Sequence, residues 1–192
     1  MSPLVPVSSP PPAGPPGPIA HLFLDLETSQ LDPAIMGACI LEIAWVACDA
    51  SLRVICERSV IVRPCIGATY SAWSRGNLHP DLVAPISQDD QRPVWGAVAR
   101  QLAQTLRTWG RAPYRLAGWS THFDLGWLRR ESQLAPLLSH RVTDCSTLAH
   151  LDAAWSPWPV ERSGEAAHRA LDDCRAALNY LRRWRASIYG DG

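Results

Sequence analysis

The segment HLFLDLET, residues 21–28, places the strongest constraint on how this chain can fold. It is apolar enough for a buried strand, yet it carries two carboxylates, Asp25 and Glu27. Residues i and i+2 of a strand point to the same side, so both acids aim at one spot. Like charges placed together in apolar surroundings are costly unless a cation neutralises them. Any fold built on this strand must therefore bring a divalent cation against one of its faces. Far along the chain, AHRALDD places His168 and Asp173 at the opening of a long amphipathic helix. A third carboxylate and a histidine suggest chemistry at that metal.

The order of the remaining elements gives the fold class. Residues 1–20 are dominated by proline, with Ser, Gly and Ala. They have neither the charged start nor the apolar stretch of a secretory signal, and they cannot bury enough surface to fold. They are expected to be a disordered leader, followed by one folded domain over residues 21–189. HLFLDLE, CILEIAWVACD and RVICERSVIVRP read as three successive strands in an antiparallel meander. RPVWGAVARQLAQTLRTWG is an amphipathic helix with Val94, Val98, Leu102, Leu106 and Trp109 on one stripe. YRLAG reads as a short strand, HFDLGWLRRESQL as a helix capped by Ser120 or Thr121, and HRVTD as another strand. A helix through CSTLAHLDAAW and a last one from about residue 165 to 187 complete the chain. The expectation is an α/β domain whose mixed sheet has about five strands and helices on both faces.

On a wheel of about 100° per residue, Leu171, Cys174, Leu178 and Leu181 form the apolar stripe of the last helix. Asp173 lies at the edge of that stripe. Asp172 lies on the wet face, at the i, i+3 spacing for an ion pair with Arg175. A fourth acid, Asp124, falls in the first turn of a helix directly after a buried strand. Alone it would be read as a helix-dipole residue. Glu42, in LEIA, is taken as structural, because the four-acid set is complete without it.

Composition excludes several classes. The 192 residues are 47% hydrophobic, enough for one packed domain, and the formal net charge is zero. Broad electrostatic capture of long nucleic acid is not indicated. No apolar run approaches the roughly 18 residues of a membrane span. All 18 basic residues are arginine, through composition bias or because arginine's fork suits phosphates. The six cysteines show no CxxC pair and are read as reduced core residues of a cytoplasmic protein.

The pattern DLE, then Asp124, then HxxxxD resembles the DEDDh branch of 3′-to-5′ exonucleases, which share a ribonuclease-H-like fold. Within that branch DLETSQLDP, HRVTDCSTL and AHRALDDCR are most similar to oligoribonuclease. The resemblance implies that Asp25, Glu27, Asp124 and Asp173 bind two Mg²⁺ or Mn²⁺ ions and that His168 is the general base. It implies short single-stranded RNA as substrate, with release of nucleoside 5′-monophosphates. By position, Ser120, Arg141, Ser146 and Thr147 would cap a terminal phosphate, and Leu31 would wedge between bases. Trp73 and His79 would flank a base. Ordinary helix capping for the hydroxyls and turn packing for Leu31 stand beside those roles.

The chain also departs from the family pattern. Trp119 stands for an asparagine, and His140 for a tyrosine that a neighbouring subunit supplies in a homodimer. The spacing between Trp73 and His79 is one residue longer. Strict dinucleotide preference is therefore open. Three rivals remain: the same chemistry on single-stranded DNA or longer RNA tails, a catalytically silent nucleic-acid-binding subunit, and a plain interaction module.

Overall fold

The computed structural model describes residues 19–87, 89–110, 112–156, 160 and 168–189. Residues 1–18 of the expected leader lie outside them. Ile19 is buried and the Ala20 amide donates to Cys48 O at 2.9 Å, so the packed chain begins ahead of His21.

Five strands form one sheet: β1 (His21–Thr28), β2 (Ile40–Cys48), β3 (Val54–Ile61), β4 (Leu116–Gly118) and β5 (Thr143–Asp144). Their spatial order is β3-β2-β1-β4-β5. β1 to β3 form the antiparallel meander that the sequence implies, and β4 and β5 continue it in parallel with β1. The sheet is mixed because the chain leaves β3 and crosses through α3 (Trp95–Thr108) before returning beside β1.

Alternation along β1 divides the core. Leu22, Leu24 and Leu26 enter the cluster with α3 residues Val98, Leu102 and Leu106 and with α4 (Thr121–Leu128) residues Leu125, Trp127 and Leu128. Phe23 points the other way, toward Cys174, Ala177, Leu178 and Leu181 of α6 (Ala170–Tyr189) and Cys145 of α5 (Cys145–Trp155). Asp25 and Glu27 share the parity of Phe23, so the same alternation turns both acids toward α6. On β2, Ala44, Val46 and Cys48 belong to the α6-facing cluster, and Glu42 shares their parity. The β1–β2 register sets Glu27 directly opposite Glu42, and it shifts immediately afterward, between Glu27 and Thr28.

Several boundaries differ from expectation. Val94 is exposed and caps α3 instead of joining its buried stripe. α4 ends at Leu128, and the expected continuation gives way to turns and a 3₁₀ segment, Ala135–Leu137. Pro136 in that segment disfavours helix in the residue before it. β5 has only two residues. α6 starts at Ala170, which leaves His168 before the helix, while the expected start near residue 165 falls outside the described residues. Two short helices, α1 (Ala72–Asn77) and α2 (Pro80–Val83), occupy the stretch that the sequence left irregular. Among the described residues no helix is long and apolar enough to cross a membrane.

Candidate active site

The C-terminal end of β1 opens into a groove of about 370 Å³. Its lining includes Asp25, Glu27, Asp124, His168 and Asp173, together with Leu31, Trp73, Trp119, Ser120 and Phe123. It lies where parallel β1 and β4 end side by side, the kind of crevice in which α/β sheets bind ligands. Gly118 lets β4 approach β1 closely there: a Cβ at this position would sit 3.1 Å from Leu24 O.

Three acids converge. One carboxylate oxygen from each of Asp25, Glu27 and Asp173 lies within 4.8 Å of the others. β1 supplies the first two by alternation, and the first turn of α6 supplies the third. Glu27 and Asp173 are buried. Burial, then the charges of Asp25 and Asp173, push the Glu27 carboxyl up to about 9. Asp124 is raised in the same direction, by burial and then by Asp25, although the Leu26 amide donates to its Oδ1 at 3.0 Å. Asp124 is thus tied to β1 and stands beside the three-acid cluster rather than within it.

This donor set suits a hard divalent ion. Carboxylate oxygens are the ligands Mg²⁺ and Mn²⁺ prefer. The upward shifts have the direction expected of a metal-free cluster whose fully ionised form is unfavourable, a repulsion a cation would remove. Asp25, Glu27 and Asp173 would hold such an ion, with Asp124 at its side.

His168 lies on the same groove, two residues before α6. Its φ of 48° is in the left-handed region, which non-glycine residues rarely adopt and which clusters at functional sites. The Trp73 ring meets the imidazole edge-on, with centroids 5.3 Å apart and an interplanar angle of 88°. Trp73 is 42% exposed and Leu31 59%, so both offer apolar surface to a ligand. α1 holds Trp73 in place through Ser74, which is fully buried. Its hydroxyl reaches Ser29 O at 3.0 Å and Thr28 O at 3.2 Å.

The expected phosphate contacts are only partly gathered. Ser120, also left-handed at φ 51°, does not cap α4 with its side chain. Its amide donates to Ser146 Oγ at 3.0 Å, and the two hydroxyls lie 3.3 Å apart. The Thr147 amide donates to Asp144 Oδ1, so Asp144 is the cap of α5. Arg141, Ser146, Thr147 and His79 are not among the groove-lining residues, and the His79 ring pairs with Asp81. Sequence reasoning missed Phe123 as a wall of the groove and Ser74 as its anchor. The Phe-Asp step into a capped helix was the only local signal for the first.

No protein-family model matches the chain. It is 30% identical over 178 residues to the oligoribonuclease of Photobacterium profundum, spanning 88% of this chain and 94% of that one. It is 27% identical over 179 residues to the oligoribonuclease of Streptomyces avermitilis, spanning 88% and 86%. Among solved structures, E. coli exonuclease I in complex with single-stranded DNA superposes with a TM-score of 0.67 at 16% identity, over 87% of this chain and 40% of that one. The Mg²⁺- and Mn²⁺-bound form of S. pombe Pop2p superposes with a TM-score of 0.59 at 11% identity, over 90% and 85%.

Proposed function

The chain belongs to the oligoribonuclease family, with its ribonuclease-H-like fold, and from that premise we propose that it is a divalent-metal-dependent 3′-to-5′ exonuclease acting on short single-stranded RNA. The observation that carries the reading is the meeting of Asp25, Glu27 and Asp173, with His168 on the same groove. Two divalent ions bound there would activate a water and stabilise charge on the leaving oxygen. Asp25, Glu27, Asp124 and Asp173 would hold and orient them. His168 accepts the proton of the attacking water, a role suited to an imidazole. The phosphodiester's 3′-oxygen leaves with the shortened strand, and a nucleoside 5′-monophosphate is released. Trp73 and Leu31 supply apolar faces for the terminal bases.

The length limit rests on Ser120 and Ser146, with Arg141 and Thr147 joining them when a terminal phosphate is bound. A second reading keeps the chemistry and relaxes the length. It is favoured by the position of Arg141 and Thr147 away from the groove lining.

Digestion of RNA and DNA ladders from two nucleotides upward separates the two. The first reading expects RNA dimers to be cleaved fastest and EDTA to abolish all cleavage. Equal rates on dimers and ten-mers would leave the second, and cleavage that persists in EDTA would overturn both.

A further inference from the structure

Resting on the assignment of His168 as proton acceptor, we propose that Arg169 is a positioning residue, which fixes the His168 turn against the sheet and against α2. Arg169 donates from Nε to Glu42 Oε2 at 3.0 Å and from Nη2 to Glu42 Oε1 at 3.1 Å. Its third nitrogen, Nη1, donates to Asp81 Oδ2 at 3.2 Å. A planar guanidinium bonded in this two-pronged way has its orientation set as well as its place.

The anchor is unusual for its burial. The Glu42 side chain is 1% exposed. Besides Arg169 it accepts from Ser59 Oγ at 2.6 Å and from the Ala170 amide at 3.3 Å. A buried carboxylate needs such a full set of donors. Glu42 therefore caps the helix that bears Asp173, and it does so from the β2 position directly across from Glu27. One ion pair thus joins the strand opposite the metal ligands to the residue following the histidine.

Two further observations place the pair in the machinery rather than beside it. The left-handed backbone at His168 persists only where its surroundings over-determine it, and Arg169 supplies that restraint on the C-terminal side. Asp81, the third partner, lies on α2 and also pairs with His79, so Arg169 reaches the α1–α2 segment whose Trp73 meets the imidazole. The contrast lies on the same helix. Arg175 pairs with Glu57 and Asp172 on exposed surface, with no buried carboxylate like Glu42 among its partners.

The test is a double-mutant cycle on an RNA dimer with Mn²⁺. Arg169→Met should lower kcat by about 10- to 100-fold, the range for a misplaced catalytic group, with KM and Mn²⁺ affinity within about twofold of the parent. Added guanidinium chloride at millimolar concentration should restore part of kcat in Arg169→Ala. In a His168→Ala background, Arg169→Met should cause no further loss, because its effect passes through the imidazole. Arg175→Met should stay within about twofold throughout. Should Arg169→Met fail to fold, Arg169→Lys serves instead, keeping the charge over Glu42 while losing the fork, and a kcat loss is again expected. Wild-type kcat in these variants, or losses that multiply with that of His168→Ala, would overturn the proposal. A fully active His168→Ala would instead overturn the reading of the site beneath it.

Discussion

Asp172 and Asp173 are sequence neighbours with opposite surroundings. The helical wheel turns Asp173 toward the groove, and the structure buries it there, while Asp172 pairs with Arg175 at 3.6 Å on the surface. Asp173→Asn should abolish cleavage, and Asp172→Asn should leave kcat/KM within about threefold, since exposed pairs contribute little. The reverse pattern would overturn the assignment. Glu27 carries a second prediction. Its folded pKa of about 9 lies above its ordinary value of 4.5. Between those values the folded state holds the proton more firmly than the unfolded one, so stability is lost as pH rises through this range. Asp124 acts in the same direction. In EDTA the Tm should therefore fall between pH 6 and pH 8.5, and excess Mn²⁺ should restore it. Glu27→Gln should flatten the slope, and a metal-free Tm that climbs with pH would contradict the account. What the sequence could not supply at this scale was the dihedral angles of Ser120 and His168, because a left-handed turn at a non-glycine residue leaves no compositional mark.

The groove walls depend on short elements pinned by buried polar contacts. α1 has only six residues, too few to hold Trp73 by helical propensity alone. Ser74 does so by bonding the carbonyls at the end of β1. Ser74→Ala should raise KM for an RNA dimer several-fold with little change in kcat, at a stability cost of about 1 kcal/mol. Trp73→Ala should raise KM by about 10-fold or more, from a stacking contact of about 1–3 kcal/mol. Steady-state kinetics check both, and a Ser74→Ala effect confined to kcat would remove α1 from the binding role. Long elements with strong periodicity, such as β1, β2, α3 and α6, were legible in the sequence. α1 and α2 were not, because their places are set by tertiary contacts rather than by propensity, and β5 was legible in HRVTD although it keeps only two residues of it. The end of α4 was misjudged for a related reason: apolar spacing persists to Leu134, although the chain has left the helix at Arg129.

At the scale of the whole molecule, one sheet separates two jobs. The face packed on α3 and α4 buries an apolar cluster that carries none of these acids, whereas the face under α6 combines core residues with Asp25, Glu27 and Glu42. The acids were legible because strand alternation is a local rule. The Glu42–Arg169 pair was not, since 127 residues of chain separate its partners. Glu42 stands outside the three-acid cluster, and its partner and its link to His168 came only with the fold. The proposed phosphate cap also belongs to this scale, because it would draw on Ser120 between β4 and α4, on α5 and on the segment before β5. Arg141→Ala should weaken dimers carrying a 5′-phosphate by roughly 10-fold or more, the value of a charge-assisted contact, and ten-mers far less. Equal losses on both would dissolve the cap. The most direct test of the central claim is a time course on a 5′-end-labelled RNA five-mer with Mn²⁺. The account predicts successive labelled four-, three- and two-mers with release of nucleoside 5′-monophosphates, and none of this in EDTA or with Asp173→Asn. Early release of the 5′ label, internal cuts, or cleavage undiminished in EDTA would contradict it.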